Sequence, residues 1–164
     1  MSYFATDERI EKLQSIIQSW MGTPYLHFCR VKGRGVDCAF LLVEIFREYG
    51  FYDSFSCRYY ARDWHIHGKT EIFLEGMEQL KEVIDVAPNG VRIEKLYYTP
   101  STELKLGDWL VFSMSPKGLR NHSGIYFPEG KLTHSLEYDG VICEKIEKYL
   151  PKLDVIFRFV EDVV

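Results

Sequence analysis

The segment running from Ala39 to Tyr49, AFLLVEIFREY, constrains this chain more than any other. As a helix it is apolar over most of its circumference, with only Glu44, Arg47 and Glu48 as a polar strip, and such a helix has to be buried on nearly every side. Other elements must pack around it. The spacing predicts a start at Asp37 and Cys38 and a stop at Gly50. With 164 residues the chain is long enough to bury such a core, and the expected unit is one domain over residues 1–164.

Two further helices are expected beside it. Residues 7–21 place Ile10, Leu13, Ile17, Trp20 and Met21 on one face behind Thr6 as N-cap, with Asp7 and Glu8 at the positive end of the dipole. Residues 70–84 do the same with Phe73, Met77, Leu80 and Ile84, closed by Pro88, Asn89 and Gly90. From Gly107 the pattern changes to short β-branched and aromatic runs over 109–113, 123–127, 131–136, 141–146 and 154–160. Tight turns at Pro128-Glu129-Gly130 and Tyr138-Asp139-Gly140 predict antiparallel hairpins. Helices followed by a meander define an α+β class, N-terminal helices packed on a C-terminal antiparallel sheet of about five to six strands.

Charge and hydropathy narrow the functional classes. Lys plus Arg number 20 against 24 Asp plus Glu, a net charge of −4. A nucleic-acid partner is not expected, because it needs a basic surface. No apolar run is long enough to span a membrane, and the acidic start lacks the features of a secretory signal, so the expected site of synthesis is the cytoplasm and no membrane partner is expected. The four cysteines, Cys29, Cys38, Cys57 and Cys143, are then free thiols without an assigned pairing.

Cys38 is distinguished from the others by its place. It opens the apolar helix after Gly33-Arg34-Gly35-Val36-Asp37, where the macrodipole favours a thiolate and glycines let a substrate carbonyl approach sulfur and amides together. A lone cysteine before an apolar helix is more often a packing residue. A nucleophilic one needs an imidazole, and the imidazole needs an orienting group. His122 heads one expected strand and His134 lies in the next across a tight turn, so the two can be neighbours on one face, and a Cys38, His122, His134 triad is geometrically allowed.

Taken together, Trp20-Met21-Gly22-Thr23-Pro24-Tyr25, Gly35-Val36-Asp37-Cys38, Gly107-Asp108-Trp109-Leu110-Val111-Phe112, Asn121-His122-Ser123-Gly124-Ile125-Tyr126 and Gly130-Lys131-Leu132-Thr133-His134-Ser135 resemble the NlpC family of papain-like cysteine peptidases. Tyr60-Ala61-Arg62-Asp63-Trp64 and Phe157-Arg158-Phe159 are similar to its branch in phage tails and gene transfer agents. The resemblance implies a papain-like fold and hydrolysis of an amide bond in peptidoglycan stem peptides or muropeptides, of the γ-D-glutamyl-diamino acid type, through a thioester. It implies Cys38 as nucleophile, His122 as base and acid, and His134 as the group that orients His122. It also implies Tyr25 beside the oxyanion and Asp37 as an acidic neighbour that helps bind the amino end of the peptide. Phage tail proteins are implied as partners, with no cofactor and no metal, and the product would reach the wall inside a virion or after lysis.

One departure stands out. Many cell-wall members read Asp-Cys-Ser-Gly, whereas Ala39 and Phe40 follow Cys38 here. That places the narrower preference for trimmed peptides in question and keeps two alternatives open: acyl transfer on a thioester or lipid acyl group by the same residues, and a tail assembly module with vestigial activity. Among the remaining candidates, His65 and His67 form a His-x-His pair without the second half of a zinc site. His27 reads as a surface residue, Cys29 as a cleft or loop residue, Cys57 and Cys143 as packing residues, and Glu144 to Lys148 as solvated surface.

Overall fold

A computed structural model describes residues 1–163. Helix α1 covers Asp7–Trp20 and is capped by Thr6, whose side chain accepts from the Arg9 amide at 3.4 Å. It buries Leu13, Ile17 and Trp20. The loop that follows carries a two-residue hairpin, β1 (Arg30–Val31) against β2 (Gly35–Val36), which the sequence pattern did not suggest. Gly35 is required there: a Cβ would meet Leu26 at 2.6 Å and the Cys29 sulfur at 3.2 Å. Its bare Cα makes room for Leu26 and Cys29 in that loop.

Helix α2, Cys38–Tyr49, is the central helix. Every residue from Cys38 to Phe46 is buried, and Gly50 closes it in the left-handed region at φ 101°. The expected polar strip is only partly solvated. Glu44 is buried and salt-bridged to Arg30 at 2.6 Å and Arg47 at 2.8 Å, which compensates its desolvation. A one-turn helix α3 (Trp64–His67) and helix α4 (Ile72–Val86) come next. α4 begins two residues later than expected but buries the expected Phe73, Met77, Leu80 and Ile84.

The main sheet has six strands, all antiparallel, in the order β3-β8-β4-β5-β6-β7. Their ranges are β3 Val91–Tyr97, β4 Trp109–Phe112, β5 His122–Phe127, β6 Lys131–Leu136, β7 Gly140–Lys145 and β8 Leu153–Glu161. β4 to β7 form the expected meander, and β8 returns to lie between β4 and β3. β3 was not expected. It is an edge strand paired along its length with β8, and only Val91 and Ile93 of it are fully buried. One sheet face packs on α2, with Trp109, Ile125, Phe157 and Phe159 in that core. The other face is covered by a 3-10 helix, Glu147–Lys152, over Leu110, Phe112, Leu132 and Ile156. With both faces covered, β4 is buried at all four positions. This is the papain-like α+β arrangement.

Candidate active site

The N-terminus of α2 is docked on the head of β5. Ser123 Oγ donates to the Cys38 carbonyl at 2.8 Å, and Ser135 Oγ on β6 donates to the Val36 carbonyl at 2.8 Å. Two buried serines thus clamp the turn carrying Cys38 onto the strands carrying His122 and His134. Asp37 is the N-cap: Oδ1 accepts from the Ala39 and Phe40 amides at 3.1 and 2.8 Å. Its Oδ2 accepts from the Phe28 amide at 3.0 Å and the Tyr60 hydroxyl at 2.6 Å. All the usual acceptor positions of this carboxylate are filled. Asp37 therefore holds the helix start and the surrounding loops, and lacks a free lone pair for a peptide amine. Burial raises its carboxyl, opposed by these same hydrogen bonds.

The Cys38 thiol donates to the Asn121 carbonyl at 3.8 Å, so the sulfur lies against the backbone beside His122. Burial and the Asp37 charge push the thiol well up, and the amides of Ser123, Cys38 and Ala39 pull it the other way. Burial wins. His122 is buried too, and burial together with His134 holds its imidazole down at about 3. Burial thus disfavours the charged form of both groups, so desolvation opposes the thiolate that the helix dipole and the nearby amides favour.

His122 Nε2 lies 2.9 Å from His134 Nδ1. The β5–β6 register, Ile125 opposite Thr133 and Tyr126 opposite Leu132, makes the histidines a diagonal pair, with Gly124 between them. A Cβ on Gly124 would meet Leu132 at 2.6 Å, the Thr133 carbonyl at 2.9 Å and His134 Cβ at 3.2 Å, so the absent side chain gives the His134 ring its room.

Cys38 opens into a small cavity of about 60 Å³ lined by Tyr25, His27, Asp37, Tyr60, Arg62, Trp64, His65, Phe73 and Asn121. Tyr25 is half-buried there, and burial followed by the nearby Cys38 and Asp37 keeps its phenol protonated. The outer wall, residues 60–65, is tied down by the Tyr60–Asp37 bond, by His27 Nε2 against the Tyr60 carbonyl at 2.8 Å, by Ser115 Oγ donating to the His65 carbonyl at 3.1 Å, and by an Arg62–Glu137 ion pair. Tyr60, Arg62 and Asn121 were not marked as site residues; the sequence signal for them was adjacency to Trp64 and His122. His27 is a cleft residue rather than a surface one. His67 faces outward and lies 3.3 Å from Asp63. Cys29 packs near Gly35, and Cys57 borders a separate apolar cavity of about 140 Å³ between α2 and α4. Cys143 is exposed on β7 and so is not a packing residue. Among the described residues no group of His, Cys, Asp or Glu is arranged to hold a metal ion, and no helix is long and apolar enough to cross a membrane.

Fold and site together define a papain-like chain with a cysteine at the start of its central helix and two bonded histidines on the facing strands. A sequence profile of the NlpC/P60 family matches residues 22–157, and the chain belongs to that family. Among solved structures it is similar to the NlpC/p60 domain of the peptidoglycan hydrolase SagA, with 17% identity, 90% of this chain and 96% of that one covered, and a TM-score of 0.55. It is also similar to an NLP/P60 family lipoprotein-like protein of Staphylococcus aureus subsp. aureus Mu50 at 16% identity, covering 96% of this chain and 43% of the other, with a TM-score of 0.57. NlpC1 from Trichomonas vaginalis matches at 15% identity over 98% of this chain and 48% of the other, with a TM-score of 0.58. The chain thus spans less than half of the last two proteins. At these identities the likeness is one of fold. No curated protein sequence matches.

Proposed function

We propose that the protein is a cysteine peptidase that hydrolyses an amide bond in peptidoglycan stem peptides, of the γ-D-glutamyl-diamino acid type. The observation that carries this reading is the docking of the start of α2 on the head of β5, with Cys38 Sγ 3.8 Å from the Asn121 carbonyl next to His122, whose ring is joined to His134 at 2.9 Å. Family membership and the peptidoglycan hydrolase among the similar structures support the substrate class.

In this reading the thiol proton passes to Nδ1 of His122 as the sulfur attacks the amide carbonyl, since Nε2 is engaged by His134. The oxyanion is held by the Cys38 amide and the Tyr25 hydroxyl, a protonated donor. His122 then gives its proton to the departing amine, leaving a thioester on Cys38. Water attacks the thioester, His122 takes the water proton and returns it to sulfur, and a carboxylic acid leaves. The small cavity accommodates the reacting amide, while the remainder of the peptide lies over the rim at Arg62 and His65. The resemblance of Tyr60–Trp64 and Phe157–Phe159 to the phage-tail branch of the family is the ground for proposing delivery to the wall by a tail assembly.

The deciding experiment incubates the protein with purified muropeptides and searches for new amines by mass spectrometry, with Cys38→Ala as control. Cleavage lost in that variant supports the reading. No cleavage, together with turnover of an acyl thioester, overturns it in favour of acyl transfer.

A further inference from the structure

We propose that Glu144 is a positioning residue of this site, which fixes His134 as the Nε2–H tautomer and thereby leaves Nδ1 of His122 free to take the Cys38 proton. The β6–β7 register pairs His134 with Ile142 and Leu132 with Glu144, so Glu144 shares the face of His134 one pleat further along. Its Oε2 lies 3.4 Å from His134 Nε2, and its Oε1 accepts from Lys148 Nζ at 2.6 Å. Tyr149 packs edge-on against the His134 ring, with centroids 5.0 Å apart, and helps keep the carboxylate ionised. The run from Glu144 to Lys148, expected as solvated surface, is in part the outer support of the buried histidines.

One chain of contacts fixes where each proton sits. An ionised carboxylate only accepts, so the ring nitrogen facing it must carry hydrogen. Burial keeps His134 neutral against the pull of Glu144, and a neutral ring has one N–H. That hydrogen is on Nε2. Nδ1 of His134 is then a lone pair, so the 2.9 Å contact requires N–H on His122 Nε2, and the neutral His122 keeps its lone pair on Nδ1. Without Glu144 the chain can run in reverse: His134 donates from Nδ1, His122 accepts at Nε2, and an N–H rather than a base remains for the sulfur. The charged and titratable groups around the carboxylate and His134 are His122, Asp139, Lys148 and Tyr149. Burial alone would raise the Glu144 carboxyl, but Lys148, His134 and Tyr149 beside it hold it below its ordinary value, so it remains an acceptor.

This inference rests on His122 being the base, and its test separates the two. Long-range ¹⁵N–¹H NMR of the full chain labelled at histidine, at pH 7 without substrate, should show both His122 and His134 as Nε2–H tautomers. In Glu144→Leu, His134 should shift toward the Nδ1–H form, and kcat on muropeptides should fall on the order of 10–100-fold with KM unchanged. Glu144→Gln, whose carbonyl can still accept, should keep the tautomers and most of the activity. An Nδ1–H tautomer for His134 in the unaltered protein, unchanged tautomers in Glu144→Leu, or equal losses in the two variants would each overturn the proposal. The tautomers are read without turnover, so a protein that cleaves no muropeptide would leave this test intact while removing the peptidase reading.

Discussion

The Tyr60 hydroxyl donates to Asp37 Oδ2 at 2.6 Å, tying the outer wall of the cleft to the cap of the helix that carries Cys38. Tyr60→Phe removes that donor and leaves one lobe of a buried carboxylate unpaired. The expected cost is about 1–3 kcal/mol, as for other hydrogen bonds to charged groups, read as a lower urea midpoint with unchanged slope. A midpoint equal to that of the unaltered protein would mean that the bond does not hold the wall.

Acid should destabilise the fold through His122. Its imidazole is held down at about 3 against an ordinary 6.5, by burial first and His134 second. Between those values the unfolded chain binds a proton that the folded chain refuses, so stability falls as pH drops through the window, by about 1.4 kcal/mol per unit for one such group. Urea unfolding at pH 7 and pH 5 should therefore show a larger loss for the unaltered protein than for His122→Gln. Equal losses would place the acid sensitivity elsewhere.

Burial of Cys38 leads to a reactivity order opposite to that of an exposed thiolate. Iodoacetamide at pH 7 should modify the exposed Cys143 faster than Cys38, as read by peptide mass spectrometry over time. Cys38→Ala removes one buried sulfur and should abolish cleavage while shifting stability by no more than about 1 kcal/mol. Faster labelling of Cys38 at that pH would restore the resting thiolate.

These expectations depend on features that sequence patterning exposes unevenly. The apolar circumference of α2, the four-residue core face of α4 and the strands from β4 to β8 follow from hydrophobic period and turn residues, both local signals. The family motifs then brought Cys38, His122 and His134 into one reading. β3 escaped because Arg92, Glu94 and Lys95 give an edge strand a polar look, and its partner β8 lies more than fifty residues away. Residues 51–71 have little periodicity, and tertiary bonds such as Tyr60–Asp37 set their path. Glu144 was hidden for a different reason. Its alternating-charge neighbourhood reads as surface, and only the pairing of His134 with Ile142 puts it on the histidine face.

Two of the motif segments meet in a buried ion pair. Arg158 on β8 donates to both oxygens of Asp108, from Nε at 2.8 Å and from a terminal nitrogen at 2.7 Å, and Asp108 is 1% exposed. Arg158→Met removes both guanidinium donors from the buried carboxylate, leaving it the Lys105 amide at 2.8 Å, and should cost about 3–5 kcal/mol, as should Asp108→Leu for the guanidinium. The double variant should recover part of that loss. Additive losses in a double-mutant cycle would show the two side chains to be uncoupled.

Phe40 gives a physical reason for the departure from Asp-Cys-Ser-Gly. Its ring is 3% exposed, stands edge-on to Phe28 at 5.1 Å, stacks on Tyr60 at 6.4 Å and carries the Arg30 guanidinium at 4.8 Å. It fills the space between α2 and the wall of the cleft, where a glycine would leave the wall without support. Phe40→Ala should cost about 3–5 kcal/mol from lost burial and the cavity left behind. Because the same ring backs Tyr60, substrate KM should rise more than kcat falls. A variant of undiminished stability would mean that the wall closes over the gap, and the phenylalanine would then be a specificity residue rather than a packing one.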